Sequence, residues 1–140
     1  MSSIIDDTIT RLQQLALLSA DVSVKSAPQT PPESAAVLPL SVAWIAGGEF
    51  TAVADSDVKM ILNIRVDIHV SRTNNKSAFT QINGIIPDFM RRLCGDPTLN
   101  SEVSTINFPA TCEVSPAVWN NVQTLMASFT IPCKFRTESL

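Results

Sequence analysis

The sequence predicts an α+β domain of two layers: an antiparallel sheet with a long β-hairpin, and two helices packed on one face of that sheet. Three observations predict it. Val58, Met60, Leu62, Ile64, Val66, Ile68 and Val70 place an apolar side chain at every second position, and the residues between them are polar apart from Ile61. The same period of two returns near the C-terminus, where Leu125, Ala127, Phe129, Ile131, Cys133 and Phe135 alternate with mostly polar neighbours. Two other segments, one at the N-terminus and one after Asn74, repeat their apolar residues at helical spacing instead.

The first helix is expected over residues 3–18, with Ser3 and Asp6 forming an approximate capping box and Ile5, Ile9, Leu12 and Leu15/Ala16 supplying the apolar stripe. Asp21 to Lys25 alternates briefly and reads as a short edge strand. Residues 26–37 read as a surface loop, because Pro28, Pro31 and Pro32 remove backbone donors and hold the chain extended. A strand over 38–53 follows, and Gly47-Gly48 permits a bulge within it. Ala54-Asp55-Ser56-Asp57 is turn chemistry, so residues 38–53 and 58–71 predict a long antiparallel hairpin whose tip protrudes as an arm. At about 3.3 Å per residue its second strand runs roughly 45 Å, well beyond the common 17–20 Å. Such a strand overshoots the core of a small domain, and a neighbouring subunit is the expected cover for its far end.

The second helix is expected over 75–94, capped by Asn74 or Asn75 and stopped by Gly95 and Pro97, with a kink at Pro87 eased by Gly84. Val103 to Phe108 predicts a short strand. Pro109 and Pro116 then bracket an expected loop carrying Cys112 and Trp119. In the final strand, Val122 to Phe135, Pro132 lacks a ladder donor, which places that end at a sheet edge or beyond the sheet.

A chain of 140 residues buries enough surface to fold as one domain without a metal or disulfide staple. Charged residues make up 16% of it, against about 25% in average soluble proteins, which points to surface hidden by assembly. The net charge of −3 and the scattered lysines and arginines exclude the concentrated basic footprint of a nucleic-acid binder. Cys94, Cys112 and Cys133 are odd in number, lack CxxC spacing and have one histidine for company, so they read as free thiols in a reducing cytosol. With no basic n-region and no apolar run of about 20 residues, a soluble protein made in a cytoplasm is expected, without a membrane partner.

Arg65, Asp67 and His69 share the polar face of the long strand at i, i+2 and i+4 and come nearest to a catalytic cluster. Side chains about 7 Å apart along a strand are too far for direct acid–base chemistry, so the row is assigned to solvent or a subunit interface. No nucleophile elbow, phosphate-cradling loop or metal-ligand spacing accompanies it, and the chain is expected to be a non-enzyme with no catalytic, cofactor-binding or metal residues. Arg91 and Arg92 complement the dipole at the end of the second helix. Trp44, within an apolar run, is expected in the core. Trp119 in its loop and Phe50 beside the hairpin tip are expected at partner surfaces.

The N-terminal IIDDTITRLQQL, the proline-bearing loop, LPLSVAWI, the amphipathic LNIRVDIHVSR, the helix closing on RRLCGDPTL and the terminal LMASFTIPCKF together resemble the tail terminator proteins of long-tailed bacteriophages. The resemblance covers most of the chain and rests on element order, the strand-to-helix junction after Val70 and the DPTL turn at Asp96 to Leu99. It departs from the family after that turn, with Asn100-Ser101 where such proteins often carry Gly-Gly, and in a long segment from Phe108 to Asn121. The resemblance implies a homo-oligomeric, hexameric ring that caps the tail tube, ends its polymerisation and meets the head connector or a head-completion protein. It implies assembly in the host cytoplasm and residence in the neck of the virion, with DNA passing the lumen unbound. A stopper protein on the connector side, and a cytosolic ligand-binding α+β module with a concave apolar pocket, are the alternative expectations.

Overall fold

Alternation of period two produces long strands here, and helical spacing produces helices, in a computed structural model that describes residues 4–18, 27, 38–54, 57–99, 105–119 and 121–136. The elements in order are α1 (Ile4–Leu18), β1 (Leu40–Ala54), β2 (Asp57–Ser71), α2 (Asn75–Cys94), β3 (Thr105–Ile106), β4 (Thr111–Trp119) and β5 (Val122–Arg136). The Ser3 cap, the expected edge strand Asp21–Lys25 and, apart from Ala27, the expected loop 26–37 lie outside the described residues. All strand pairs are antiparallel, in the order β1-β2-β5, with β3 and β4 sharing the other side of β5. The expected α+β fold, an antiparallel sheet with a long hairpin and two helices on one face, is the observed one, and among the described residues the sheet has five strands.

Both helices pack on the same face. Ile9, Leu12, Leu15 and Ala16 of α1 and Ala78, Ile82, Ile85, Phe89 and Leu93 of α2 join Ile64, Val66, Ile68 and Val70 of β2 and the alternate residues Leu125 to Phe135 of β5 in one buried cluster. Phe89 meets Phe129 with ring centroids 4.6 Å apart, the tilted contact aromatic pairs favour. The helix α2 runs unbroken through Pro87, begins on Asn74, whose side chain accepts from the Ser77 N–H at 3.1 Å, and ends where the Gly95 N–H donates to the Arg91 carbonyl at 3.0 Å. Beyond it the Asp96–Leu99 turn acts as a latch. The Leu99 N–H donates to the Asp96 carbonyl at 3.0 Å, the Ile106 N–H donates to the Pro97 carbonyl at 2.7 Å, and Arg11 of α1 pairs with Asp96 at 2.8 Å. Leu99 takes a left-handed φ of 49°, costly for leucine, and is fully buried in return.

The structure corrects three expectations. The segment expected as a loop around Cys112 and Trp119 is strand β4, paired with β5 from Thr111↔Thr130 to Trp119↔Val122. Pro116 is tolerated because β4 has strand on one side alone among the described residues. Pro132 does not mark an edge, since β5 is the central strand and Pro132 faces Asn63 of β2. Its carbonyl accepts from the Asn107 N–H at 2.7 Å. In an antiparallel strand a residue's N–H and C=O point to the same side, so the missing donor of Pro132 falls where β4 has ended and β3 has barely begun. The third correction concerns Trp44, which stands outside the main core on the sheet face opposite the helices, half-buried beside Leu40 and Val42. The strand expected over 103–108 is described as Thr105–Ile106.

Candidate assembly interface

Register decides which face of the sheet each candidate residue occupies. Leu40↔His69, Val42↔Asp67 and Trp44↔Arg65 stand opposite one another across β1 and β2, so the polar row shares its face with three apolar residues of β1. Thr124 and Ser128 of β5 complete that face. The Arg65 guanidinium lies 5.2 Å from the centroid of the Trp44 ring, a contact worth about 0.5–1 kcal/mol, and donates to Ser128 Oγ at 2.9 and 3.2 Å. It also reaches the Asp67 carboxylate at 3.4 Å. His69 Nδ1 and Thr124 Oγ1 are 2.9 Å apart.

These contacts stitch β1, β2 and β5 together. Asp67 is 1% and His69 2% exposed within the single chain, so neither faces solvent, and neither is open to a neighbouring subunit. Arg65 alone of the row keeps an accessible side chain, 36% exposed. Burial pushes the His69 pKa below the ordinary imidazole value, and the nearby Asp67 carboxylate opposes that shift. Burial likewise raises the Cys112 thiol, and pushes Cys133 up to about 12. Both are therefore thiols at neutral pH, poor nucleophiles as they stand.

The distal half of the hairpin is a different surface. A bulge falls between Ile45 and Gly47, where Gly47 adopts φ 140° and the backbone of Gly48 comes so close to Ile61 that a Cβ would sit 2.4 Å from its carbonyl oxygen. The extra residue shifts the parity of β1. Ile45 faces Ile64 before the bulge, and Phe50 faces Met60 after it, which brings Phe50 to the helix-side face of the sheet beyond the reach of the main core. Phe50 is 75% exposed there. As expected from sequence it stands near the hairpin tip; Trp119 stands at the end of β4, opposite Val122, in a strand rather than a loop.

Sequence reasoning missed one further surface. Met90, Leu93 and Cys94 of α2, Phe108 to Cys112 ahead of and within β4, and Phe129 line an apolar groove of about 220 Å3. Met90 and Phe108 are both more than two-fifths exposed at its mouth. The signal in the sequence is Met90, an apolar residue of α2 beside the buried stripe Ile82, Ile85, Phe89 and Leu93. Arg91 and Arg92 do not stand alone at the helix end, because both pair with Asp88 one turn earlier, at 2.5 and 3.6 Å. The Arg91 hydrogen bond holds the Asp88 carboxyl below its usual range.

Among the described residues no three His, Cys, Asp or Glu side chains group closely enough to hold a metal, and no helix is long and apolar enough to cross a membrane. No protein-family model matches the chain, and no curated protein matches it.

Proposed function

We propose that this chain is a structural assembly protein of the neck of a long-tailed bacteriophage. It forms a ring that caps the tail tube, ends its polymerisation and joins the tail to the head connector. The observation that carries the reading is a sheet with two open edges, β1 of 15 residues and β4 of 9, among the described residues. The Gln13 side chain of α1 donates to the Ser41 carbonyl of β1 at 2.9 Å, and beyond that contact a strand paired on one side offers its outer backbone groups to a partner. Because every neighbouring pair is antiparallel, β1 and β4 themselves run antiparallel across four strands. The β1 edge of one copy therefore meets the β4 edge of the next in the sense that extends an antiparallel sheet. Such a contact joins two different patches of one chain, and it closes into a ring when its rotation divides a full turn.

The resemblance stated above implies six copies, and we place the sheet near the lumen and the helices outside. A net charge of −3 suits a passage through which DNA slides, since a basic lumen would hold phosphate. The ligand-binding alternative draws no support from the groove. Its volume of about 220 Å3 falls below the 300–1,000 Å3 usual for small-molecule sites.

Electron micrographs of a lysate lacking this gene test the proposal. The expected picture is filled heads beside unattached tails of irregular length. Normal virions would exclude the role, and heads leaking DNA beside tails of normal length would place the protein on the connector side as a stopper.

A further inference from the structure

We infer that the arm of one copy docks in the apolar groove of the next, with Phe50 as the inserted side chain. The inference rests on the ring reading for its occupant, a second copy of this chain, and goes beyond it in naming the contact. Knob and hole lie apart on one molecule. Phe50 stands across from Met60, which stands across from Phe135, while the groove opens six residues back along β5 at Phe129 and one strand further over at Thr111. That is about 20 Å along the strand alone, so no side-chain motion carries Phe50 into its own groove. The insertion has to be made between copies, and a patch that fits a pocket elsewhere on the same molecule gives a head-to-tail contact.

Size and charge both favour that occupant. A dry cavity of about 150 Å3 accepts benzene, and the groove offers about 220 Å3 to a phenylalanine ring. The arm from Glu49 to Lys59 carries Glu49, Asp55 and Asp57 against Lys59, a net charge of −2. Arg91, whose side chain is 78% exposed, lies between the groove residues Met90 and Cys94 in the last turn of α2. With Arg92 against the shared Asp88, this last turn of α2 is net positive. An acidic arm carrying an exposed aromatic ring is thus matched to an apolar groove beside a helix end of net positive charge.

Native cysteines provide the test, because Cys94 and Cys112 both line the groove. Phe50→Cys, oxidised with diamide in the full-length protein at high concentration and on tail tubes, is expected to form disulfides between copies, mapped by mass spectrometry as residue 50 joined to residue 94 or 112. Only cysteines brought within about 4 Å at Cβ can join in this way. Phe50→Ala is expected to weaken self-association at least tenfold with an unchanged circular dichroism spectrum and melting temperature, and Arg91→Glu to slow the cross-linking several-fold. Assemblies of several copies that cross-link without residue 50 would overturn the docking and leave the ring reading standing. Particles of a single copy under both conditions would overturn both.

Discussion

The two halves of the hairpin have the same sequence rhythm and opposite fates. In β2, Ile64, Val66, Ile68 and Val70 are wholly buried under the helices, whereas Met60 and Leu62, in the same alternation, are only partly covered. On β1 the contrast is sharper: Val42 and Ala43 are inside, while every residue from Ile45 to Ala52 is exposed. A period of two states which residues share a face and nothing about whether that face is covered. Cover ends where α1 and α2 end, and the strands continue past it. The proximal half is a core made by one chain. The distal half is a surface whose apolar residues have no layer of this chain above them among the described residues.

Substitutions that strike each half separately break or sharpen that contrast. The largest effect is expected in the proximal half from Phe129→Ala, which removes a ring that is 2% exposed and packed on Phe89. A loss of about 3–5 kcal/mol is expected by urea denaturation, enough to unfold much of a marginally stable population. Next comes Gly48→Ala at the junction of the halves, where the new Cβ meets the Ile61 carbonyl and the bulge cannot keep its geometry. A cost of roughly 1–3 kcal/mol is expected, and increased hydrogen exchange should be confined to the arm rather than spread through the core.

The buried polar face responds to pH instead. His69 has its folded pKa below the unfolded value of 6.5, so between those values the unfolded chain binds a proton that the folded chain does not. Its contribution to stability is complete above about 6.5 and is lost as pH falls toward the folded pKa. His69→Gln should flatten the stability curve across that window while Asp67, two residues away on the same face of β2, is left in place; an unchanged acid slope would show that His69 does not carry it. The smallest effect is expected from Phe50→Ala, whose side chain is mostly in water. Thermal melting of the isolated protein should shift by no more than about 0.5 kcal/mol equivalent. A larger loss would mean that the arm packs on its own chain.

Much of the architecture was legible in the residues. The spans expected for α1, β1, β2, α2 and β5 agree with the observed elements to within two residues at each end, because each is long, strongly periodic and bounded by caps or turn residues. Strand β4 was not read, although Cys112, Val114, Pro116 and Val118 alternate with Thr111, Glu113, Ser115 and Ala117. Pro109 and Pro116 argue for a loop there, while the Asn120-Asn121 pair ahead of β5 is a turn signal in the sequence. Asn121 takes a φ of 68°, a left-handed conformation that asparagine tolerates. Of the candidate interface residues, Phe50 stands exposed on the arm, and Arg65 keeps an accessible edge. Asp67 and His69 were expected outside because they are polar. They are 1% and 2% exposed, with Val42 and Leu40 opposite them on β1 and Thr124 within reach of His69 on β5.

By itself the sequence determined the elements, since propensity, capping and periodicity act within a few residues of one another. It also determined that α2 presents Ile82, Phe89 and Leu93 together, whereas the structure puts Ile85 rather than Ile86 in the buried stripe, and that Gly47-Gly48 can bend β1. Which strand is central, whether a polar row is wet or dry, and where an apolar surface is left uncovered were decided by tertiary structure alone. These depend on pairing between residues far apart in the chain, such as Asn63 with Pro132 or Leu40 with His69. Local patterns have no access to such distances, because burial is a property of what lies on top of a side chain and not of the side chain itself.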